Sequence, residues 1–206
     1  MNKGEIKMNN GTGNNNAANV TAGKPKIGGA VFRAPKGTAV PTDATSELGA
    51  AFKCLGYCSQ DGLTNGNDQS SNSTSAWGGD VVLNMLTAGA DTFVFALIES
   101  MNTEVLKMVY GTDNVTVDNS GDISVAVNGG SDEEAVYVFD LILKGGALKR
   151  IVVPCASVTA LGEIVYNDSD PVGYNVTLTA VNDSAGNSHY EYIHLATSTQ
   201  ASNENG

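Results

Sequence analysis

The sequence predicts a mainly β protein: a β-sandwich with one α-helix packed on its outside. Only 16% of the residues are charged, against about 25% in typical soluble domains. Glycine contributes 24 residues, and short runs of β-branched residues alternate with turn-forming residues, which is typical of antiparallel strands. With 206 residues, the chain is long enough for one domain with a sizeable apolar core.

The predicted domain occupies residues 23–196 and lies between two polar segments. Residues 1–22 and 197–206 are low in complexity and show no apolar periodicity. Segments of this composition cannot bury enough apolar surface to offset the entropy lost on ordering. We therefore expect a flexible arm at each end of the domain.

The sequence shows no segment of the kind that directs a chain into a membrane. The N-terminal segment lacks the apolar centre of a secretory signal. The longest strongly apolar run, residues 93–98, is far shorter than the roughly 20 residues of a membrane-spanning helix. We expect synthesis in the cytoplasm, where the three cysteines stay reduced, and no membrane partner.

Runs of β-branched and aromatic residues bounded by turn signals predict the strands. The predicted strands are residues 26–33, 51–59, 80–86, 91–98, 123–127, 135–143, 148–155, 174–180 and 189–195. Residues 135–143 are apolar on both faces, which predicts a central strand. Asp140 interrupts this strand and would be costly if it were buried without a partner.

One segment, residues 99–110, has the periodicity of a helix. Its apolar residues recur at helical spacing and are Met101, Val105, Met108 and Val109. Ser100 is a candidate N-cap, and Gly111 is a candidate end of the helix. The apolar stripe predicts that this helix lies against a sheet.

The polar composition of residues 60–79 predicts a long loop. Loops above about 12–15 residues are usually functional or disordered. The loop contains Trp77, the only tryptophan of the chain. A large aromatic side chain is useful only when it is covered. Trp77 therefore packs either on the core of its own chain or on the surface of a neighbour.

The sequence contains no recognisable catalytic or metal-binding constellation. His189 and His194 fall on opposite faces of one predicted strand, and we expect His189 to be a surface residue of a hairpin. Phosphate-binding and zinc motifs are absent from the sequence. The acidic clusters at residues 132–134 and 168–170 lack the spacing of a calcium loop, which favours solvated turns. We expect no enzymatic activity, no cofactor and no metal.

Five segments resemble siphophage tail tube (major tail) proteins in their order and spacing. They are GKPKIGGAVFRAPKGTAVPTDATSEL from Gly23, LGYCSQDGL from Leu55, AWGGDVV from Ala76, SMNTEVLKMVYG from Ser100 and EYIH from Glu191. The resemblance spans residues 23–194. It implies a structural protein of the virion tail, made in the host cytoplasm.

The resemblance also implies an assembly and its partners. Proteins of this family form hexameric rings that stack, through the long loop and the terminal arms, into a tube for DNA ejection. The implied partners are other copies of the chain, the tape measure protein, and the tube initiator and terminator. The loop residues expected at the assembly interface are Asp61, Leu63, Trp77 and Asp80.

The net charge of −11 argues against ordinary nucleic-acid binding, which requires Lys and Arg. It fits a tube through which genomic DNA passes without specific binding. The acids expected to face the lumen are Asp132, Glu133, Glu134 and Asp140, with Asp80 as a further candidate. For Asp140 two alternatives stand beside this one: pairing with Lys or Arg across the sheet, or facing bulk solvent.

Two other functions remain open from the sequence. One is a different virion protein of related fold, such as a tube initiator or terminator. The other is an extracellular adhesin or pilin-like β-sandwich, which would require a secretion signal.

Overall fold

The computed structural model of the chain describes residues 15, 17–26, 29–67, 70–87, 89–129 and 132–196. Of the predicted N-terminal arm, residues 1–14 and 16 lie outside the described residues, and Ala17–Asn19 form a short 3-10 turn. The predicted C-terminal arm, residues 197–206, lies wholly outside them.

The fold is mainly β, as predicted, with 45% of residues in strands and 10% in helical conformation. In chain order the elements are β1 Gly23–Pro25, β2 Val31–Pro35, β3 Lys53–Cys54, β4 Cys58–Asn67, β5 Ser70–Ser75, β6 Val81–Thr87, β7 Asp91–Leu97, α1 Thr103–Tyr110, β8 Val115–Val117, β9 Ile123–Val125, β10 Ala135–Leu143, β11 Leu148–Leu161, β12 Tyr174–Ala180 and β13 Tyr190–His194.

Within the described residues, nine strands form one antiparallel sheet that is built outward from the pair β10–β11. One edge of β10 pairs with β2 and β1. The outer edge of β11 is divided between two partners, β13 at its N-terminal half and β12 at its C-terminal half. From β12 the sheet continues through β7 to β4. The 14-residue strand β11 is therefore common to both halves of the sheet.

The two halves of the sheet face each other across an aromatic core. Phe93 of β7 stacks on Phe139 of β10 with ring centroids 5.6 Å apart, and Phe95 meets the same ring edge-on at 5.4 Å. In a flat sheet β7 and β10 would be three strand spacings, about 14 Å, apart. Their contact shows that the sheet folds over on itself, which is consistent with the predicted β-sandwich.

Helix α1 covers this core with a buried face that consists of Val105, Leu106, Met108 and Val109. It ends at Gly111, as predicted; Gly111 has φ 98° and donates its N–H to the Lys107 carbonyl. Its start was predicted too early, because Asn102 rather than Ser100 is the N-cap. The Asn102 side chain accepts the Glu104 N–H at 3.0 Å, and Met101 lies outside the helix and is exposed.

The prediction of a loop over residues 60–79 is wrong. Strand β4 continues to Asn67 and pairs with β7, while β5 pairs with β6 in a hairpin. Strand pairing uses the backbone N–H and C=O groups, so a polar sequence can extend a strand where its side chains face solvent. Strand β4 ends the order of the large sheet, and most of its side chains are exposed.

A buried ion pair lies at the centre of the fold. Arg150 of β11 is opposite Asp140 of β10 in the strand register. Its Nε donates to Asp140 Oδ1 at 2.6 Å and its Nη2 donates to Oδ2 at 2.9 Å. Arg150 Nη1 also donates to the carbonyl oxygens of Asp43, at 3.1 Å, and Ser46, at 2.9 Å. The pair thus connects the sheet to the segment 43–46 that covers it.

Asp140 therefore does not face a lumen, and that prediction is wrong. Asp140 is only 4% exposed, and Arg150 is 1% exposed. The alternative, pairing across the sheet, is confirmed. The bidentate arginine supplies the hydrogen bonds that a carboxylate loses when it leaves water.

We predict that Asp140→Ala lowers the free energy of unfolding by about 3–5 kcal/mol, because it leaves the Arg150 charge buried without its partner. Urea unfolding followed by circular dichroism measures the change. The matched control is Glu191→Ala, which breaks the more exposed pair with Lys149 on the same strand β11 and is expected to cost about 0–1 kcal/mol. Equal losses in the two variants would contradict the central role of the buried pair.

Candidate functional site

The candidate site is the hairpin of β5 and β6, which forms a sheet of its own. In the described part of the chain, these two strands pair only with each other, from Ser70 opposite Thr87 to Ser75 opposite Val81. The connecting turn is closed by the N–H of Ala76, which donates to the Asp80 carbonyl at 2.8 Å. The hairpin therefore extends beyond the sandwich instead of adding to it.

Strand β6 and the turn of the hairpin carry exposed apolar side chains. Val81, Val82, Leu83 and Met85 of β6 are between 49% and 62% exposed. Trp77, in the turn, is fully exposed, so it does not pack on the core of its own chain. A lone two-stranded hairpin is marginally stable in water, and contiguous exposed apolar surface is typical of interaction sites.

The four residues predicted for the assembly interface fall into two places. Trp77 and Asp80 lie in the turn at the tip of the hairpin. Asp61 and Leu63 lie on β4 of the large sheet, where Asp61 is exposed and Leu63 packs against the core. The structure therefore separates these residues into a hairpin pair and a sheet-edge pair.

The apolar residues of β6 were predicted as a strand but not as a candidate site. An apolar run has the same pattern whether its own core or a neighbouring molecule covers it. The polar partner strand β5, with the sequence SSNSTS, was the available signal. A strand of serines and threonines opposite VVLNMLT predicts a ribbon that does not lie in a core.

A buried carboxylate lies at the root of the hairpin, where β7 begins. Asp91 is 3% exposed. Its Oδ1 accepts hydrogen bonds from the side-chain amides of Asn65, at 3.1 Å, and Asn67, at 3.4 Å. Its Oδ2 accepts from the Ser188 hydroxyl and contacts His189 Nδ1, both at 2.5 Å. We call Asp91, Asn65, Asn67, Ser188 and His189 the root cluster.

The hydrogen bonds of the root cluster determine the charge state of Asp91. Burial by itself raises the pKa of this carboxyl group. The hydrogen bonds from Ser188, Asn65 and His189 outweigh burial and hold the pKa of Asp91 below its usual range. The carboxylate is therefore ionised at neutral pH.

The root cluster brings a serine, a histidine and an aspartate together, which corrects the prediction that His189 is a surface residue. The His189 ring lies edge-on against the Phe93 ring, with the two ring centroids 5.4 Å apart. The arrangement is not that of a catalytic triad. In a triad the aspartate and the serine contact different ring nitrogens, whereas here Asp91 and Ser188 both contact Nδ1, and Ser188 donates to Asp91.

Two of the predicted lumen acids are held in ion pairs within the chain. Glu133 contacts Arg33, with Oε1 and Nη2 2.8 Å apart. Glu134 forms a short contact with Lys36. Asp132, beside them, is exposed. The segment 132–134 thus lies at the surface of the domain.

Among the described residues, no group of three or more His, Cys, Asp or Glu side chains is placed to hold a metal ion. No helix of the described residues is long and apolar enough to cross a membrane.

The fold and the site define a class: a β-sandwich protein with a projecting hairpin, one strand of which is apolar and exposed. A model of the phage tail tube protein family matches residues 12–203, and the chain belongs to that family. It is therefore a structural protein of the phage tail, which assembles with itself and with other tail proteins. No curated protein matches the chain.

We predict that the contribution of Asp91 to stability is lost in acid. Its pKa in the folded chain lies below the unfolded value of about 3.9. The ionised form therefore stabilises the fold at neutral pH, and this contribution disappears as the pH falls through the folded pKa. Urea unfolding of the natural chain and Asp91→Asn should show a difference in stability at pH 7 that shrinks toward pH 3. A difference that stays constant with pH would contradict the charge state given to Asp91.

Proposed function

We propose that the chain assembles through the β5–β6 hairpin into stacked hexameric rings, which form the tail tube that conducts DNA during ejection. The observation that carries the proposal is the exposed apolar strand β6 with Trp77 at the end of the hairpin. Membership of the tail tube family favours this function over an extracellular adhesin.

The hairpin offers a neighbouring copy both side chains and backbone. Buried aromatic anchors at interfaces are worth about 2 kcal/mol or more each, and Trp77 has its whole surface available for burial. In addition, β5 and β6 pair only with each other among the described strands. Their outer edges can therefore accept a further strand by backbone hydrogen bonding.

The large sheet supplies a second surface for contact within a ring. Its order ends at β3 and β4 in the described structure. Asp61 and Leu63 both lie on β4, and we propose that this edge meets an edge of the neighbouring subunit. A contact between two different surfaces of identical subunits generates a closed ring when the rotation closes, and we take six subunits from the family resemblance.

Acidic charge explains how a tube can pass DNA without holding it. Each chain has a formal net charge of −11, and neutralisation of phosphates needs basic side chains. We propose that Asp132, Glu133 and Glu134 face the lumen. Asp132 is the most informative of them, because Glu133 and Glu134 already contact Arg33 and Lys36.

We predict that Leu83→Lys impairs assembly while it leaves the fold intact. A charge at a buried contact removes apolar burial worth about 2 kcal/mol, which corresponds to a roughly 30-fold higher concentration for assembly. Sedimentation velocity and negative-stain electron microscopy measure assembly, and thermal unfolding measures the fold.

The matched control for this experiment is Val117→Lys on the separate β8–β9 hairpin. Val117 is 52% exposed and Leu83 is 49% exposed, so the two changes add the same charge at similarly exposed apolar positions. If both variants assemble at the same concentration as the natural chain, the hairpin is not the assembly element.

We predict that Asp132→Lys leaves tubes intact but slows the passage of DNA, because each lysine adds a phosphate contact that weakens with salt. The measurement is the rate of DNA ejection from virions that contain the variant, at low and high salt. Asp168→Lys makes the same charge change at an exposed position in the connection between β11 and β12 and serves as the control. Equal ejection rates for both variants and the natural chain would remove Asp132 from the lumen.

A further inference from the structure

The hairpin leaves the large sheet at a single place, and the root cluster lies there. The last bonded pair of β4 and β7 is Asn67 opposite Asp91. The first pair of the hairpin is Ser70 opposite Thr87. Both strands of the hairpin therefore connect to the sandwich beside the Asp91 carboxylate. A ribbon attached in this way can bend about its root unless other contacts restrain it.

The root cluster supplies such restraint from two sides. Asn65 and Asn67 reach Asp91 from β4, on one side of β7. Ser188 and His189 reach it from the connection between β12 and β13, almost 100 residues further along the chain. The carboxylate therefore joins both attachment strands of the hairpin to a distant part of the sandwich.

Packing of the core alone does not account for a carboxylate at this position. The inward side chains of β7 are Asp91, Phe93, Phe95 and Leu97, so a charged residue occupies the first place of an otherwise apolar row. An apolar residue would continue that row without the cost of burying a charge. A buried carboxylate that is held by hydrogen bonds to both of its oxygens instead restricts the groups around it to one arrangement.

We propose that Asp91, Asn65, Asn67, Ser188 and His189 form a positioning cluster that fixes the direction in which the β5–β6 hairpin projects from the sandwich. The proposal rests on the proposed role of the hairpin in assembly. A hairpin held in its docking direction before contact loses less conformational freedom on binding, and therefore binds at lower concentration.

The test uses Asn65→Asp, which keeps the shape of the side chain but turns a hydrogen-bond donor to Asp91 into a repelling carboxylate. Trp77 is the only tryptophan and lies in the hairpin turn, so its fluorescence reports the motion of the hairpin without a label. Time-resolved anisotropy of the unassembled full-length chain should show the amplitude of nanosecond segmental motion rising about twofold or more. Assembly should then require a higher concentration of protein.

A second variant approaches the cluster from its other side. Ser188→Ala removes the hydroxyl donor of the β12–β13 connection and introduces no charge. It should increase the motion of Trp77 in the same direction. The matched control is Asn114→Asp, the same exchange beside the other hairpin, where Asn114 donates to the Tyr110 carbonyl at 2.6 Å and to Asn128. This control should leave the anisotropy decay of Trp77 unchanged.

The outcomes separate the cluster from the proposed function. Anisotropy decays identical to that of the natural chain in both Asn65→Asp and Ser188→Ala would overturn the positioning cluster. Greater hairpin motion in both variants with unchanged assembly would support the cluster but contradict the role of the hairpin in assembly. Greater motion in the Asn114→Asp control as well would overturn the cluster, because the effect would then not depend on contact with Asp91.

Discussion

The register of the strand pair β10–β11 is the constraint on which the rest of the fold depends, and the Asp140–Arg150 pair fixes it. Strands β1 and β2 pair with β10, while β12 and β13 pair with β11. A slip of one residue would place Asp140 opposite Lys149 or Ile151 and turn each side chain to the other face. Either charge would then lose its bidentate partner in a buried position. Charge pairing thus favours the observed register over a slip of one residue.

The fold uses buried carboxylates at two places for the same physical purpose. Asp140 holds Arg150, which donates to the covering segment 43–46, and Asp91 joins the root of the hairpin to the β12–β13 connection. Between them the aromatic core packs without charge. The apolar strand β6 is left outside this arrangement, and its side chains Val81, Val82, Leu83 and Met85 are exposed. A protein of the phage tail tube family has neighbouring subunits that can cover it.

Local sequence patterns predicted those elements whose patterning matches their burial. Strand 135–143 agrees with the structure because its continuous apolar run is typical of a central strand. Strand 174–180 and the helix end at Gly111 agree because alternation and a cap determine them locally. The prediction of a loop over residues 60–79 rested on their polar side chains. In an edge strand or a projecting hairpin the side chains face solvent and can be polar, while the backbone still pairs with a neighbouring strand. The root cluster could not be predicted either. Asp91 and His189 are 98 residues apart in the chain, and only the folded sheet brings them together.

The most direct test of the account is amide hydrogen exchange in β6, Val81–Thr87, measured on the unassembled chain and on assembled tubes. An isolated two-stranded hairpin opens readily, so its outward amides exchange fast in the free chain. If the hairpin docks on a neighbouring copy, these amides should exchange at least about 100-fold more slowly in the tube, which corresponds to about 2.7 kcal/mol of added protection. Exchange in β6 at the same rate in both states would contradict the claim that this hairpin is the assembly element.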